Sequence, residues 1–225
     1  MELVEALGRA LYLLVSFDKE VYTIVGRSLL VSGSALLLSS LFSFPVSSLL
    51  SFSSFRGRGA LLSIIRTFYS LPTVCVGLFL FVLFSREGPL GFSGILFTPY
   101  IMILGQAILI SPIIMGLLIS HLGRRWEVFE TALSIGATRR RAVILTIFDA
   151  RSEVLGILLL SFGRAISEVG CAIMVGGNIK GFTRVMTTAI ALESSKGNIE
   201  LALSLGIILL IIAFIINIIA VRLER

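Results

Sequence analysis

Residues 121–153 read HLGRRWEVFETALSIGATRRRAVILTIFDARSE and form the one wide polar island in a very apolar chain. The apolar runs on either side are long enough to cross a bilayer, so the island is a loop between two spans. Within it Trp126, Phe129, Leu133 and Ile135 recur at roughly helical spacing while Glu127, Glu130 and Ser134 fall elsewhere. That pattern predicts a short two-faced helix over 126–135, stopped by Gly136. Beyond Ala137 a second helix follows, with Val143, Ile144, Ile147 and Phe148 on one side. Arg139, Arg140 and Arg141 stand near its start, where cations oppose the helix dipole, so something negative should compensate them: lipid phosphates or a partner's carboxylates. A helix, a glycine turn and a helix between two spans is what a membrane protein needs if a soluble machine is to push on it.

Composition fixes the solvent. Apolar residues make up 56% of the 225 and charged residues 14%, and the mean hydropathy is +1.04, far from the balance of a water-soluble domain. The 19 basic residues lie in loops beside apolar runs and not on one amphipathic face, which fits lipid headgroups and argues against nucleic acid. Cys75 and Cys171 fall inside apolar runs without a neighbouring His, as buried small hydrophobes do. His121 is the only histidine, so no histidine metal cluster forms. Glu2 and Glu5 stand where a signal peptide would carry lysines, so the amino terminus reads as retained.

Five spans are expected, at 21–44, 61–84, 95–122, 154–175 and 199–221, all helices because no ten-residue barrel alternation appears. Residues 3–17 are short for a span and are interrupted by Glu5 and Arg9. They read as a helix lying in the interface, with a sixth, tilted span as the alternative. The chain thus divides into an amino-terminal interfacial helix, 1–20, and one membrane domain, 21–225, whose long loop is 122–153. Pro72 and Pro112 should bend the second and third spans, and Gly176, Gly177 and Asn178 end the fourth. Such bends serve packing or gating. The serines of 39–54 should bond back to their own helix or line a turn after Pro45.

The distribution of Lys and Arg sets the orientation. Eleven lie on the side of the long loop (Arg56, Arg58, Arg66, Arg124, Arg125, Arg139, Arg140, Arg141, Arg151, Arg222 and Arg225) and six on the other. The long loop is therefore cytoplasmic, the amino terminus outside and the carboxyl terminus inside. Inside the fourth span, Arg164 stands near the midplane, where a charge costs at least about 2.5 to 3.5 kcal/mol. Glu168, four residues on, is at the spacing that lets the two meet. Two readings follow: an ion pair fastening the bundle, or a partly neutralised positive field bordering a path for a dianion.

The run ETALSIGATRRRAV resembles the cytoplasmic loop of ABC importer permeases, whose pattern is Glu-Ala-Ala, three residues, then Gly. Glu130, Ala132 and Gly136 match, Thr131 replaces the first alanine, and Phe148 and Asp149 stand where the family often has Leu-Pro. SFGRAISEVGCAIMVGGNI, residues 161–179, resembles the span after that loop in permeases for tetrahedral oxyanions. With SLPTVCVGLFLFVLFSREGPLG, residues 70–91, it looks most like the tungstate group, the molybdate and sulfate permeases being the alternatives.

The resemblance implies an all-α integral membrane protein, a type I ABC importer transmembrane domain. It implies a permease homodimer in the cell membrane of a prokaryote, cytoplasmic ABC ATPase subunits, and an extracytoplasmic substrate-binding protein. The helix ending at Gly136, with Phe129, Glu130, Ala132 and Ala137, would be the coupling element seated in the ATPase. No phosphate-cradling Gly-Lys-Ser/Thr loop is present, so the chain cannot cradle ATP phosphates itself; the resemblance implies a transport subunit, with no catalytic residue, metal or cofactor expected. A secondary anion transporter would show paired features in two halves, and none is visible.

Overall fold

The computed structural model describes residues 3–223. Glu2, Arg225 and the side chain of Glu5, which entered the reading of the termini, lie outside the described residues. Those residues form α-helices and two 3-10 turns with no strand. The helices are α1 (Leu3–Val15), α2 (Lys19–Ser51), α3 (Arg58–Thr67), α4 (Thr73–Phe84), α5 (Pro99–Arg124), α6 (Trp126–Ser134), α7 (Arg139–Asp149), α8 (Arg151–Ile166), α9 (Gly170–Gly176), α10 (Met186–Ser195) and α11 (Ile199–Leu223). Helices α2, α5 and α11 are each long and apolar enough to cross a membrane. The number of such spans reaches five if α3 with α4, and α8 with α9, each count as one bent span.

Helix α2 opens at Asp18, whose carboxylate accepts from the Glu20 and Val21 N–H groups at 2.9 and 3.0 Å and so satisfies two of the orphan donors of the first turn. The span expected to end at residue 44 continues through Pro45 to Ser51. The serines explain how. Ser39, Ser43 and Ser47 recur every four residues on one stripe facing α5, small enough for the two backbones to close up. Ser39 Oγ meets Ser111 Oγ at 2.9 Å, Ser43 donates to the Ser111 carbonyl at 3.4 Å and Ser47 to the Met115 carbonyl at 3.3 Å. The expectation that they bond back is thus corrected for these three, although Ser51 does bond back, to Ser47. Ser43 is fully buried, so Ser43→Leu is expected to overpack the α2–α5 contact and cost about 1–3 kcal/mol. The midpoint of thermal unfolding of the solubilised protein reads that loss.

Two expected spans are broken. Helices α3 and α4 meet at 95° across a 3-10 turn, Phe68–Ser70, and Pro72. Proline disfavours helical backbone in the residue before it, and Leu71 accordingly has ψ 125°. Pro72 therefore stands between two helices and does not kink one. Helices α8 and α9 meet at 57° across residues 167–169. The reading missed α10 altogether, a ten-residue helix whose first four residues are buried. Helix α1 is too short at 13 residues to cross on its own. It lies against the first turns of α11, with Arg9 to Glu200 at 2.7 Å and Ser204 Oγ to the Ala10 carbonyl at 3.2 Å.

Three of the four buried apolar clusters among the described residues tie the longer helices together. Val76, Leu80, Ile101, Met102 and Val175 pack α4, α5 and α9 around Cys171, which is buried as expected. Gly77 and Gly105 make room for it: a Cβ at Gly77 would come within 2.9 Å of the Cys171 Cα, and one at Gly105 within 2.5 Å of its Sγ. Cys75, by contrast, is exposed. A second cluster joins α2, α8, α10 and α11 through Val21, Ile24, Ile166, Met186 and Leu205. The third gathers at the opposite end of α2 and includes Phe52, Leu118, Leu122, Phe129, Ala132, Ala142 and Val154. Outward rows such as Leu30, Leu37 and Leu41 on α2 and Leu210 and Phe214 on α11 are exposed apolar surface that only lipid or another apolar face would cover.

Candidate functional site

Helix α6 is the two-faced helix of the polar island, one residue shorter than expected. Its inward face is Phe129 and Ala132, 3% and 5% exposed, while Glu127, Glu130, Thr131, Leu133 and Ile135 are exposed. Phe129 stacks on Phe52, just past the end of α2, with ring centroids 4.2 Å apart, and Trp126 closes the group at 5.6 Å from Phe129. Phe129 and Ala132 therefore fasten α6 to the bundle, and the surface it offers a visitor is Glu127, Glu130, Leu133 and Ile135.

The end of α6 is built on Gly136. Its φ is +92°, a left-handed value open to glycine at little cost. The Gly136 N–H bonds the Leu133 carbonyl and the Ala137 N–H bonds the Ala132 carbonyl, both at 3.0 Å. These are the paired bonds of a Schellman turn, and they satisfy carbonyls the helix end would otherwise leave open. The chain then re-enters helix at Thr138, whose hydroxyl accepts from the Arg141 N–H at 3.4 Å.

One of the three arginines of α7 finds a negative partner inside the chain. Arg139 donates to the Phe52 carbonyl at 2.7 Å and to Ser53 Oγ at 3.0 Å, at the negative end of the α2 dipole. Arg140 and Arg141 remain exposed. Arg125, at the joint between α5 and α6, binds Asp149 at the end of α7 and Glu153 in the first turn of α8. Arg125 donates to both carboxylates, and its hydrogen bond to Glu153, joined by the one to Asp149, raises the Arg125 pKa above its ordinary value. Asp149, at the departure from the family's Leu-Pro, has this pairing as its role. Between α6 and the α7–α8 joint runs a groove of about 710 Å³, lined by Glu127, Val128, Ile135, Leu145 and Phe148 among others.

Deeper in the bundle, Arg164 Nη1 donates to Glu168 Oε2 at 3.1 Å. The partners are unequal: the Glu168 side chain is 3% exposed and that of Arg164 42%. Glu168 sits in the break between α8 and α9, where Oε1 accepts from the Cys171 N–H at 2.9 Å and the backbone carbonyl accepts from Thr187 of α10 at 2.6 Å. The acid caps α9 while the guanidinium faces outward. Helix α9 stops at Gly176, and Gly177 and Asn178 follow with φ of +66° and +50°. Gly176 lies under Met102 and Gly177 under Phe97, where a Cβ would come within 2.7 and 2.9 Å. The Asn178 side chain donates to the Thr188 carbonyl and accepts from the Thr188 hydroxyl, both at 3.0 Å, tying the loop to α10.

Sequence reasoning missed Arg125 with its two acids, the buried Arg184–Glu193 pair at 3.3 Å and the anchoring role of Phe52. Each joins residues distant in sequence or lies in a segment too polar and too short to show periodicity. Among the described residues no group of His, Cys, Asp and Glu could hold a metal ion.

No protein-family model matches the chain. It is similar to the tungstate uptake system permease protein of Peptoclostridium acidaminophilum, 40% identical over 222 residues, 98% of this chain and 97% of the relative. A probable anion ABC transporter permease protein of Haloferax volcanii is 39% identical over 206 residues, 89% of each. The tungstate uptake system permease protein of Campylobacter jejuni is 37% identical over 220 residues, 96% of this chain and 91% of the relative. With likeness of that depth over nearly its whole length, the chain belongs to the family of ABC transporter permease proteins.

Proposed function

We propose that this chain is the membrane-spanning subunit of an ATP-driven importer for tungstate, of the type I architecture. The observation that carries the reading is 40% identity to a tungstate uptake permease across an aligned 98% of the chain. In this reading α2, α3 with α4, α5, α8 with α9, and α11 are five spans, and α6 is cytoplasmic. The amino terminus is outside, residues 1–20 lie in the interface, and 21–225 form the permease domain with its coupling loop at 122–153. Two copies form the channel, ATPase subunits dock on α6, a binding protein delivers the anion from the other side, and lipid covers the outward apolar rows.

Closure of the ATPase pair would be felt through the exposed face of α6. Phe129 passes the displacement to α2 through Phe52, and Arg125 passes it to α7 and α8, so one small helix moves three elements. Proteoliposomes holding the permease and its ATPase, with the binding protein added outside, test the function. Expected is tungstate uptake that needs ATP and the binding protein and resists excess molybdate and sulfate. Preferred uptake of either competitor assigns that anion instead, and uptake driven by an ion gradient without ATP returns the chain to the secondary transporters.

The coupling surface has its own test. Single cysteines at Glu130 and Ile135 are expected to crosslink to the ATPase, while one at Phe129, 3% exposed, is not. Crosslinks from Glu130 and Ile135 to lipid alone would remove α6 from the ATPase interface.

A further inference from the structure

The first turn of α2 and its last turn, which meets α6 through Phe52, are about 50 Å apart along the helix. At the far end the start of α2 and residues 180–184 enclose a cavity of about 410 Å³. Its lining carries four cations, Lys19, Arg27, Lys180 and Arg184, against two acids, Asp18 and Glu20. Asp18 is engaged with the backbone as the cap of α2. Glu20 is the incumbent anion: it accepts from Lys180 Nζ at 2.7 Å and lies 3.8 Å from Arg184 Nη1.

The other groups leave the cavity short of negative charge. Arg27 donates to the Gly181 carbonyl at 2.7 Å and to the Arg184 carbonyl at 3.3 Å, and among the described residues it meets no carboxylate. Arg184 is 7% exposed; its Nη1 reaches Glu193 at 3.3 Å, and its Nε–H has no partner among the described residues. A buried guanidinium N–H without a protein acceptor is free to donate to a water or to a bound anion. Donors from a fork and from ammonium groups suit a compact, multiply charged oxygen anion.

We infer that this cavity is a receiving site for a tetrahedral oxyanion, held by Lys19, Arg27, Lys180 and the Nε–H of Arg184 in exchange with the Glu20 carboxylate. Its place as the first station of import rests on the function proposed above; anion binding itself does not. The same donors suit a lipid phosphate, so the test separates the two sources.

The permease–ATPase complex, without binding protein, is placed in nanodiscs of phosphatidylcholine and dialysed against tungstate, and bound tungsten is measured by elemental analysis. Arg27→Gln and Lys180→Gln are each expected to weaken binding about three- to fivefold. Glu20→Gln is expected to tighten it by removing the competing anion. The Lys180 side chain is 67% exposed, so that variant carries the test even if Arg27→Gln fails to assemble. Equal tungsten on the wild type and all the variants overturns the site. In nanodiscs containing phosphatidylglycerol, retained tungstate supports a solute site, and displacement by that lipid overturns it. Uptake by the wild type in parallel, with no tungsten in this cavity, sinks the site and leaves import standing; tungsten bound here without uptake does the reverse.

Discussion

A Gly136→Pro permease is expected to insert and yet to import tungstate at no more than about a tenth of the wild-type rate, with weaker capture of its ATPase. Proline cannot adopt a φ of +92°, and it lacks the N–H that bonds the Leu133 carbonyl. Strain of about 1–3 kcal/mol and the loss of a bond of about 0.5–1.5 kcal/mol act together on the end of one short helix. Each 1.4 kcal/mol shifts the population of the correct turn about tenfold. The core that carries insertion and packing is untouched, because a Cβ at Gly136 would meet nothing within 4 Å. That open space predicts a graded series. Alanine meets only the left-handed backbone penalty of about 1–2 kcal/mol, a β-branched residue meets more, and asparagine, which tolerates this region, restores most of the activity. Uptake in proteoliposomes and co-purification of the ATPase are the two readouts. Capture of the ATPase and uptake at wild-type levels by the proline variant would separate Gly136 from coupling.

The leverage expected of this single turn follows from how α6 is attached. Its inward residues belong to the same packed cluster as the ends of α2 and α5 and the starts of α7 and α8. Packed clusters shift as units, so displacement at the exposed face is not absorbed locally. Arg125 makes the attachment two-sided. A load applied at Glu130 or Ile135 reaches the α7–α8 joint through Asp149 and Glu153 and reaches α2 through Phe52.

What was legible in the sequence and what was not follow a physical division. Apolar length and helical period mark α2, α5 and α11 because each signal is summed over many residues. The turn at Gly136 is legible because glycine after a two-faced run is a local signal. At Pro72 the proline marked a bend but not its 95° extent, and the break at residues 167–169 was hidden inside an apolar run, because hydropathy is blind to direction. Helix α10 was hidden because Thr187, Thr188 and Glu193 are polar yet buried by contacts with elements far away in sequence. The serine stripe of α2 was visible as composition, but its partner, α5, was not. Pairings such as Arg125 with Asp149 and Glu153, or Arg184 with Glu193, depend on tertiary placement that spacing along the chain does not encode.

The unequal burial of Arg164 and Glu168 gives different expected roles to two residues that spacing alone left joined, and it sets the second large effect. Arg164→Gln is expected to assemble normally, because Glu168 keeps its bond to the Cys171 N–H and so keeps the break between α8 and α9 in place. Uptake is expected to fall about tenfold, since an outward guanidinium supplies a few kcal/mol of attraction to a dianion at contact in an environment of intermediate dielectric. Glu168→Gln acts in the opposite sense. The amide still accepts from Cys171, but Arg164 loses its counter-charge, so the anion is held longer; uptake saturates at lower tungstate and reaches a lower maximum. Glu168→Ala adds the loss of the cap, about 1 kcal/mol of stability, and is expected to lower the melting temperature where Glu168→Gln changes it little. Measuring assembly by gel filtration and uptake against tungstate concentration distinguishes the cases. Normal assembly with normal uptake in Arg164→Gln would confine the pair to fastening the bundle, whereas opposite shifts of half-saturation in the two variants require an anion that passes within reach of the guanidinium.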